Sequence, residues 1–214
     1  MKSFEKISKK YNLVLDIDET LIKSDISIGS DISFVTEFSK PDITKQVFYI
    51  WEFDDYKHLR KIFVLKRPYL EDFLSFCRKY FNVYFWSAGK TLYVRQILDN
   101  ILTFQPKGVF TRDHIIEAEV PYPRKPLLFL QKKTGNKINL TNTIHIDDLD
   151  LTFSYNKDNG LLIPPFLGSP DDTCLLILMK FLEKVKDMDV DVRKIDKNIF
   201  VDDCSKCNME KKYL

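Results

Sequence analysis

The sequence predicts an α/β protein in which a mostly parallel, Rossmann-like sheet is flanked by helices. Short apolar runs typical of buried strands recur along the chain, and amphipathic segments with helical spacing separate them. Strands that alternate with helices in this way usually form parallel βαβ units. In addition, three of the predicted strands run directly into acidic or hydroxyl side chains, a pattern typical of a site at the carboxyl edge of such a sheet.

The size and composition of the chain fit one folded domain. Its 214 residues can bury one sizeable core and are few for two domains. The 44% hydrophobic content is typical of a globular protein rather than a disordered one. The net charge of +2 makes a nucleic-acid partner unlikely, because binding by counterion release usually requires a larger basic excess.

The sequence shows no targeting or membrane segment. The first twelve residues are charged and lack the apolar region of a secretory signal. The longest apolar stretch, "CLLILMKFL" at 174–182, falls short of the roughly 20 residues of a membrane span and is interrupted by Lys180. We therefore expect an intracellular protein, cytoplasmic or nuclear, without a membrane partner. Cys204 and Cys207 form a lone CxxC; a structural role is favoured, and a metal or redox role stays open.

The first half of the chain predicts a strand, an excursion and a helix. Residues 11–17 form an apolar run that ends at the first aspartate, as a buried strand would. Residues 24–46 are polar and predict a loop with short strand. Two β-rich runs around a charged middle predict a hairpin at 47–65. Residues 66–81 have helical apolar spacing, and Pro68 suits the first turn.

The second half continues the alternation. The predicted elements are, in order, a buried strand at 82–86, a helix at 90–102, a short strand at 107–113, a short helix at 126–135, a strand at 142–150, a short strand at 161–166 and a helix at 171–186. The last helix begins with acidic residues and ends with lysines, as the helix dipole favours. The charged residues beyond Asp187 are expected to form a tail.

Polar side chains follow three of the predicted strands. Asp16 and Asp18 end the first, Ser87 ends the second, and Asp147 and Asp148 end a later one. The carboxyl ends of parallel strands share one edge of a sheet, so we expect these groups to lie together. Four carboxylates repel one another strongly in a cleft, and oxygen ligands select a hard cation. The sequence therefore predicts a Mg²⁺ site.

Each of these motifs also has a simpler explanation. An aspartate after a strand is often a helix cap or turn former, and Ser87-Ala88-Gly89 is a common turn sequence. The occurrence of all three at strand ends favours a site. If the substrate is a phosphate, a lysine would complement it. Lys125, just before the last acidic strand, is the first candidate, and Lys132 and Lys133 are weaker ones because they fit a helix surface.

Four segments together resemble the haloacid dehalogenase superfamily of phosphohydrolases. The first is "LDIDETL" at 15–21. The others are "FVLKRPYLEDFL" at 63–74, "VYFWSAGKTLYV" at 83–94 and "IDDLDLTFSYNKDNGLLIPPFLGSPDDTCLLIL" at 146–178. Within the superfamily they are similar to the small phosphatases of the RNA polymerase II carboxy-terminal domain, the NLI-interacting-factor-like family. The resemblance covers about residues 11–186.

The resemblance implies a role for each matched residue. It makes Asp16 the nucleophile that forms an aspartyl-phosphate and Asp18 the general acid and base. It makes Ser87 a hydrogen-bond donor to the phosphoryl group and Lys125 the phosphate lysine. The metal set that it implies for Mg²⁺ is Asp16, Asp18 through its backbone carbonyl, Asp147 and Asp148. Substrate-binding residues are expected at Thr20, which also supports the loop, and at Ala88, Tyr93 and Arg112.

The chain departs from the family pattern at three points. Asp148 stands where these phosphatases usually have Asn, so which of Asp147 and Asp148 binds the metal directly stays open. Pro126 follows Lys125 where the family usually has Asp-Leu, and the segment from Lys125 to Asp147 is longer than usual. Whether Lys125 or a nearby lysine faces the phosphate is therefore left open.

Residues 24–65 coincide with a small β insertion of the family, and no segment is long enough for a large cap domain. An open cleft suits a macromolecular substrate. The apolar side chains of the insertion would line a peptide groove or pack in the core: Phe48, Tyr49, Ile50, Trp51 and Phe53.

The expected function is that of a Mg²⁺-dependent protein serine/threonine phosphatase. Its partner would be a phosphorylated protein or peptide, with the RNA polymerase II carboxy-terminal domain as one candidate. A phosphatase for nucleic-acid ends or small phosphates, and a non-catalytic binding module, are the alternatives. The expected organisation is one phosphatase domain over 1–214, with a core at 11–186, the insertion at 24–65 and a tail at 187–214.

Overall fold

The computed structural model describes residues 9–26, 46–53 and 58–200. The strands are β1 (Asn12–Leu15), β2 (Ile22–Ile26), β3 (Val47–Phe53), β4 (Leu59–Lys66), β5 (Asn82–Trp86), β6 (Gly108–Phe110), β7 (Thr143–Asp147) and β8 (Gly160–Leu162). The α-helices are α1 (Leu70–Tyr80), α2 (Thr91–Ile101), α3 (Arg112–Glu117), α4 (Leu127–Lys133) and α5 (Cys174–Val185). Short 3₁₀ turns cover Asp150–Phe153, Lys157–Asn159 and Val192–Lys194.

The main sheet has five strands in the order β6-β5-β1-β7-β8, and every pairing in it is parallel. The predicted α/β fold with a mostly parallel sheet is therefore confirmed. All residues of the central strand β1 are buried, which explains its uninterrupted apolar sequence. Leu15 is in register with Phe85 on one side and with Ile146 on the other, so three strand ends lie side by side.

Helices cover both faces of this sheet. Successive β1 residues point to opposite sides, and each side packs against different helices. Leu13 and Leu15 belong to the larger core cluster, with apolar side chains of α1, α2 and α5. Val14 belongs to a second cluster, which includes Leu127 and Leu130 of α4 and Ile115 of α3. The strands are thus held between two apolar layers.

A small antiparallel sheet in the order β2-β4-β3 precedes α1. Its β3–β4 pairing confirms the predicted hairpin, but β2 begins at Ile22, before the predicted excursion. Ile50 and Ile62 face each other across the hairpin and join the larger core cluster, which attaches the small sheet to the domain. The insertion residues 27–45 and 54–57 lie outside the described residues.

Several helix boundaries differ from the expected ones; α5, for example, begins at Cys174, after the acidic residues that were expected to begin it. The helix expected at 66–81 begins at Leu70, because Pro68 and the left-handed Tyr69 (φ 65°) precede it. The strand expected at 107–113 ends at Phe110, and the polar residues at its end belong to α3 instead. There the backbone amide of Thr111 donates to Nδ1 of His114 at 3.1 Å, and this reciprocal cap stabilises the short helix.

The expected tail at 187–214 is in part a packed segment. Val192 and Phe200 are buried in the larger core cluster. The Tyr11 hydroxyl donates to the carbonyl oxygen of Met188 at 2.6 Å, and the amide of Val192 donates to the carbonyl oxygen of Thr141 at 2.9 Å. The packed domain therefore extends to residue 200. The predicted CxxC at Cys204 and Cys207 lies outside the described residues.

None of the helices in the described ranges is both long enough and apolar enough to cross a bilayer. The helix α5, which contains the longest apolar stretch of the sequence, spans 12 residues. It packs through Leu175, Leu178 and Leu182 in the larger core cluster, so its apolar side chains are used inside the domain.

Candidate active site

The three central strand ends place Asp16, Ser87 and Asp147 at the same edge of the sheet. Asp16 follows β1, Asp147 ends β7, and both carboxylates are almost fully buried. Lys125 reaches them from the segment before α4: its Nζ lies 2.5 Å from Oδ1 of Asp16 and 2.7 Å from Oδ2 of Asp147. The sequence-predicted lysine is thus next to the predicted nucleophile.

Backbone contacts deliver Lys125 to this position. Its amide donates to the carbonyl oxygen of Thr152 at 3.1 Å, and the amide of Leu127 donates to Oδ1 of Asn156 at 3.0 Å. Burial lowers the pKa of Lys125, but the carboxylates of Asp147 and Asp16 outweigh it, and the net pKa lies above its usual value. Lys125 therefore carries its positive charge at neutral pH.

Asp16, Asp147 and Asp148 each offer a carboxylate oxygen, and these oxygens lie within 4.8 Å of one another. Three hard oxygen donors at this spacing fit Mg²⁺. Asp18 was expected to join the metal set through its backbone carbonyl, which stays a prediction, because only its carboxylate is turned away from these three oxygens. The three carboxylates of the set lie on two neighbouring strand ends.

The Asp18 carboxylate lies against the second strand end and α2. Its Oδ1 accepts a hydrogen bond from the Tyr93 hydroxyl, and its Oδ2 accepts one from Oγ of Ser87 at 3.3 Å. Burial raises the pKa of Asp18, while the hydrogen bonds from Tyr93 and Ser87 act in the opposite direction. A carboxyl group with a raised pKa keeps its proton more readily than an ordinary aspartate, which suits a general acid.

Asp148 is held by Thr20. The Thr20 hydroxyl donates to Oδ1 of Asp148 at 3.1 Å, and Thr20 itself is fully buried and does not line the cleft. The expected substrate contact of Thr20 is therefore wrong, whereas its expected support of the loop fits this bond. Burial, followed by the charge of Asp147, raises the pKa of Asp148 to about 6.

The Ser87-Ala88-Gly89 loop is tightly packed. The Gly89 amide donates to Oγ of Ser87 at 2.9 Å. A Cβ at Gly89 would lie 2.8 Å from Cδ1 of Tyr93, so the close approach of α2 requires glycine here. Arg112, at the start of α3, donates from its amide to the Gly89 carbonyl oxygen at 3.0 Å and from Nε to that of Ala88 at 2.9 Å.

These groups open into a cleft of about 510 Å³. It contains the carboxylates of Asp16, Asp18, Asp147 and Asp148 together with Lys125. Three of the four residues expected to bind substrate also line it, namely Ala88, Tyr93 and Arg112. The hydroxyl of Tyr93 is already bonded to Asp18, so Tyr93 positions that carboxylate.

Phe48, Tyr49 and Trp51 of the insertion do not line the cleft. Tyr49 and Trp51 are exposed and pack edge to face, with ring centroids 6.2 Å apart. Ile50 is buried in the core, and Phe48 packs against that core. The inner face of the small sheet instead contributes Glu52 and Ile62 to the cleft. Ile50 and Phe48 thus follow the packing alternative, while a peptide contact of Tyr49 and Trp51 stays a prediction.

Several residues that shape the site were not predicted from the sequence. Arg67 is buried and donates to the carbonyl oxygen of Thr20 at 2.9 Å, which fixes the loop after Asp18. A sequence signal for Arg67 was present, because it lies in the KRP sequence of the second motif. Tyr122 and Pro123 also line the cleft, and the local sequence gives no sign of this because it follows from the path of the chain between α3 and α4.

Comparisons with known proteins agree with this geometry. The model of the NLI interacting factor-like phosphatase family matches residues 11–193. The CTD small phosphatase-like protein 3 of Caenorhabditis elegans is 29% identical over 189 residues, which cover 87% of this chain and 58% of that protein. The nuclear envelope morphology protein 1 of Saccharomyces cerevisiae is 27% identical over 202 residues, or 91% of this chain and 43% of that protein.

A solved structure supports the fold. The structure of Fcp1, described as an essential RNA polymerase II CTD phosphatase, superposes with a TM-score of 0.58 at 17% identity. The match covers 84% of this chain and 51% of that chain. The chain thus spans less than two thirds of the length of these relatives.

Proposed function

Because this chain belongs to the NLI interacting factor-like phosphatase family, a branch of the haloacid dehalogenase superfamily, we propose that it hydrolyses phosphomonoesters with Mg²⁺ and an aspartyl-phosphate formed on Asp16. The observation that carries the proposal is the position of Asp16. It follows the central strand, its carboxylate touches Lys125, and the Asp18 carboxylate enters the same cleft.

In the first half of the reaction, an Asp16 carboxylate oxygen attacks phosphorus and the bond from phosphorus to the leaving oxygen breaks. Asp18 gives its proton to that oxygen, so the alcohol leaves neutral. The raised pKa of Asp18 favours a protonated carboxyl at the start of this step. Tyr93 and Ser87 hold the Asp18 carboxyl in place through their hydrogen bonds.

In the second half, water attacks phosphorus, Asp18 accepts the water proton, and the bond between phosphorus and the Asp16 oxygen breaks. Inorganic phosphate leaves and the Asp16 carboxylate is restored. Lys125 offsets the negative charge of the phosphoryl oxygens, and Ala88 and Gly89 line the cleft beside them. Ser87 is fully buried and acts through its hydrogen bond to Asp18. Mg²⁺, held by Asp16, Asp147 and Asp148, would neutralise further charge on those oxygens when bound.

The proposed substrate class is a protein or peptide that carries phosphoserine or phosphothreonine. Two features support it: the cleft opens to solvent beside the small sheet, and several relatives are named as phosphatases of the CTD. The RNA polymerase II carboxy-terminal domain is therefore the first substrate to examine. Whether the substrate is this domain or another, the partner would be a phosphorylated protein.

The test is hydrolysis of p-nitrophenyl phosphate by the purified protein, with Mg²⁺ and with EDTA. We expect Mg²⁺-dependent turnover that Asp16→Asn lowers more than about 1,000-fold, because the amide cannot form the acyl phosphate. Asp150→Asn is the matched control, since Asp150 is an exposed carboxylate in the next loop that does not line the cleft. Undiminished turnover in Asp16→Asn would contradict the mechanism.

The substrate class is then tested with a panel of phosphoserine peptides and 3′-phosphorylated oligonucleotides. Higher kcat/KM for the peptides supports the proposed class. Activity on the oligonucleotides without activity on the peptides would assign the protein to nucleic-acid ends instead. Tight peptide binding by a protein that hydrolyses no substrate would point to a binding module.

A further inference from the structure

The side chain of Gln96 on α2 binds the backbone of the small sheet. Gln96 donates from Nε2 to the carbonyl oxygen of Trp51 at 2.7 Å and accepts at Oε1 from the Trp51 amide at 3.1 Å. The side-chain amide thus pairs with both backbone groups of one residue, as a neighbouring strand would. Such a two-point contact fixes the distance and the orientation of β3 relative to α2.

The position of Trp51 explains why this contact is available. β3 is an edge strand of the small sheet, because the strand order is β2-β4-β3. The backbone groups of Trp51 point away from its cross-strand neighbour Lys61 and towards α2. Gln96 forms hydrogen bonds with both of these backbone groups, which would otherwise lack a strand partner at the edge of the sheet. These bonds attach β3 to α2.

The tethered strand forms one wall of the cleft. Glu52, the residue after Trp51, points to the opposite face of the strand and lines the cleft, as does Ile62 of β4. Oε1 of Glu52 lies 3.9 Å from Nζ of Lys90, just before α2. The wall formed by Glu52 and Ile62 is therefore held to α2 at two places, about a turn and a half of helix apart.

The same helix also holds the proton donor. Tyr93 lies three residues before Gln96 and donates its hydroxyl hydrogen bond to Asp18. α2 thus fixes Asp18 through Tyr93 and the cleft wall through Gln96. The phosphoryl group would bind at the ends of the central strands. In a larger substrate, the residues next to the phosphorylated one would contact the wall.

We propose that Gln96 is a positioning residue for substrate recognition, which sets the wall of Glu52 and Ile62 against the residues that flank the phosphorylated one. The proposal rests on the proposed phosphatase function. Ile62 is only 3% exposed, so Glu52 provides most of the surface of this wall, and its carboxylate shares the cleft with Lys90. A peptide long enough to reach Glu52 and Lys90 would therefore depend on the tether, whereas a small phosphate ester would not.

The test compares substrates that do and do not reach the wall. In Gln96→Ala, we expect the KM of a phosphoserine peptide with several residues on each side of the phosphoserine to rise about fivefold or more, with kcat nearly retained, because the lost contacts bind ground and transition states alike. The ratio of the kcat/KM of the peptide to that of p-nitrophenyl phosphate should fall accordingly. Gln96→Glu keeps the acceptor for Trp51 but loses the donor, so an intermediate ratio is expected.

Asn100→Ala is the matched control. Asn100 is an exposed amide one turn further along α2, where its Nδ2 donates to the Gln96 carbonyl oxygen at 2.8 Å without touching β3. The substrate ratio should stay at the wild-type value in this variant. An unchanged ratio in Gln96→Ala, or an equal loss on both substrates, would overturn the proposal.

Hydrogen exchange separates this proposal from the proposed function. We expect faster amide exchange of the peptide that covers 46–53 in Gln96→Ala than in wild type or Asn100→Ala. If the wild-type protein hydrolysed no substrate, the proposed function would fail while exchange would still report on the tether. Unchanged exchange in Gln96→Ala would overturn the tether itself.

Discussion

Lys125 shows how strongly one residue can control the charge of the site. Its side chain is 2% exposed and touches two buried carboxylates that would otherwise repel each other. Two buried charges without a cation would be costly, because desolvation disfavours the charged form. Lys125 therefore stabilises the folded site and prepares it for an anionic substrate at the same time.

Asp148 gives the site a pH dependence in the metal-free protein. Its native pKa of about 6 lies above the unfolded value of 3.8 because of burial and the charge of Asp147. The native state therefore binds more protons than the unfolded state between these values, and stability falls as pH rises through this window. We expect Asp148→Asn to flatten the fall, measured by urea unfolding in EDTA from about pH 4 to about pH 7.

Thr20 provides the second variant for this prediction. Its hydrogen bond lowers the pKa of Asp148, so Thr20→Val should move the fall in stability to higher pH. If the unfolding free energies of wild type and Asp148→Asn ran parallel across the whole range, the assignment of this pH dependence to Asp148 would be wrong.

At the scale of elements, Arg67 connects three segments around the first motif. Its guanidinium donates to the carbonyl oxygens of Thr20 and Pro164, both at 2.9 Å, and it pairs with both carboxylate oxygens of Asp172. The loop after β1, the segment after β8 and the approach to α5 are therefore joined by one buried side chain. Such planar, two-pronged pairing is a property of arginine that lysine lacks.

We expect Arg67→Ala to lower the free energy of unfolding by about 3–5 kcal/mol, because the nearly buried Asp172 carboxylate loses its partner. Lys66→Ala is the control. Lys66 pairs with the exposed Glu71 at 2.8 Å, and loss of such a surface pair costs less than about 1 kcal/mol. Urea unfolding measures both, and equal costs would show that Arg67 does not join these segments as described.

At the scale of the whole molecule, the packed domain continues past α5. The segment after α5 passes the amino-terminal ends of β1 and β7. There the Tyr11 hydroxyl and the Thr141 carbonyl oxygen form hydrogen bonds with its backbone. Phe200 then packs on Phe181, with ring centroids 6.2 Å apart. This final contact closes the apolar layer beside α5.

Phe200→Ala should lower the free energy of unfolding by about 3–5 kcal/mol, since it removes a ring that is only 1% exposed. The neighbouring Ile199 is 51% exposed, and Ile199→Ala should change it by less than about 0.5 kcal/mol. The comparison uses urea unfolding of the full chain. A cost for Phe200→Ala as small as that for Ile199→Ala would return this segment to the tail predicted from the sequence.

The strands β1, β5 and β7 and the residues at their ends could be predicted from the amino-acid sequence alone. β1 and β5 are buried, and their apolar runs are visible without a structure. β7 is buried too, but its sequence contains Thr143 and His145, so the acidic pair at its end was the clearer signal. Parallel order then brings the strand ends to one edge, so the grouping of Asp16, Ser87 and Asp147 could also be predicted.

The features that depend on long-range contacts could not be predicted from the sequence and became visible only in the fold. Thr20 turned out to support Asp148 rather than face substrate, and the aromatic rings at Tyr49 and Trp51 face outward, because the small sheet places Ile50 in the core. The tether of Gln96 to Trp51 joins residues 45 positions apart. Local patterns report propensity and burial, whereas these contacts depend on how the small sheet and α2 pack in three dimensions.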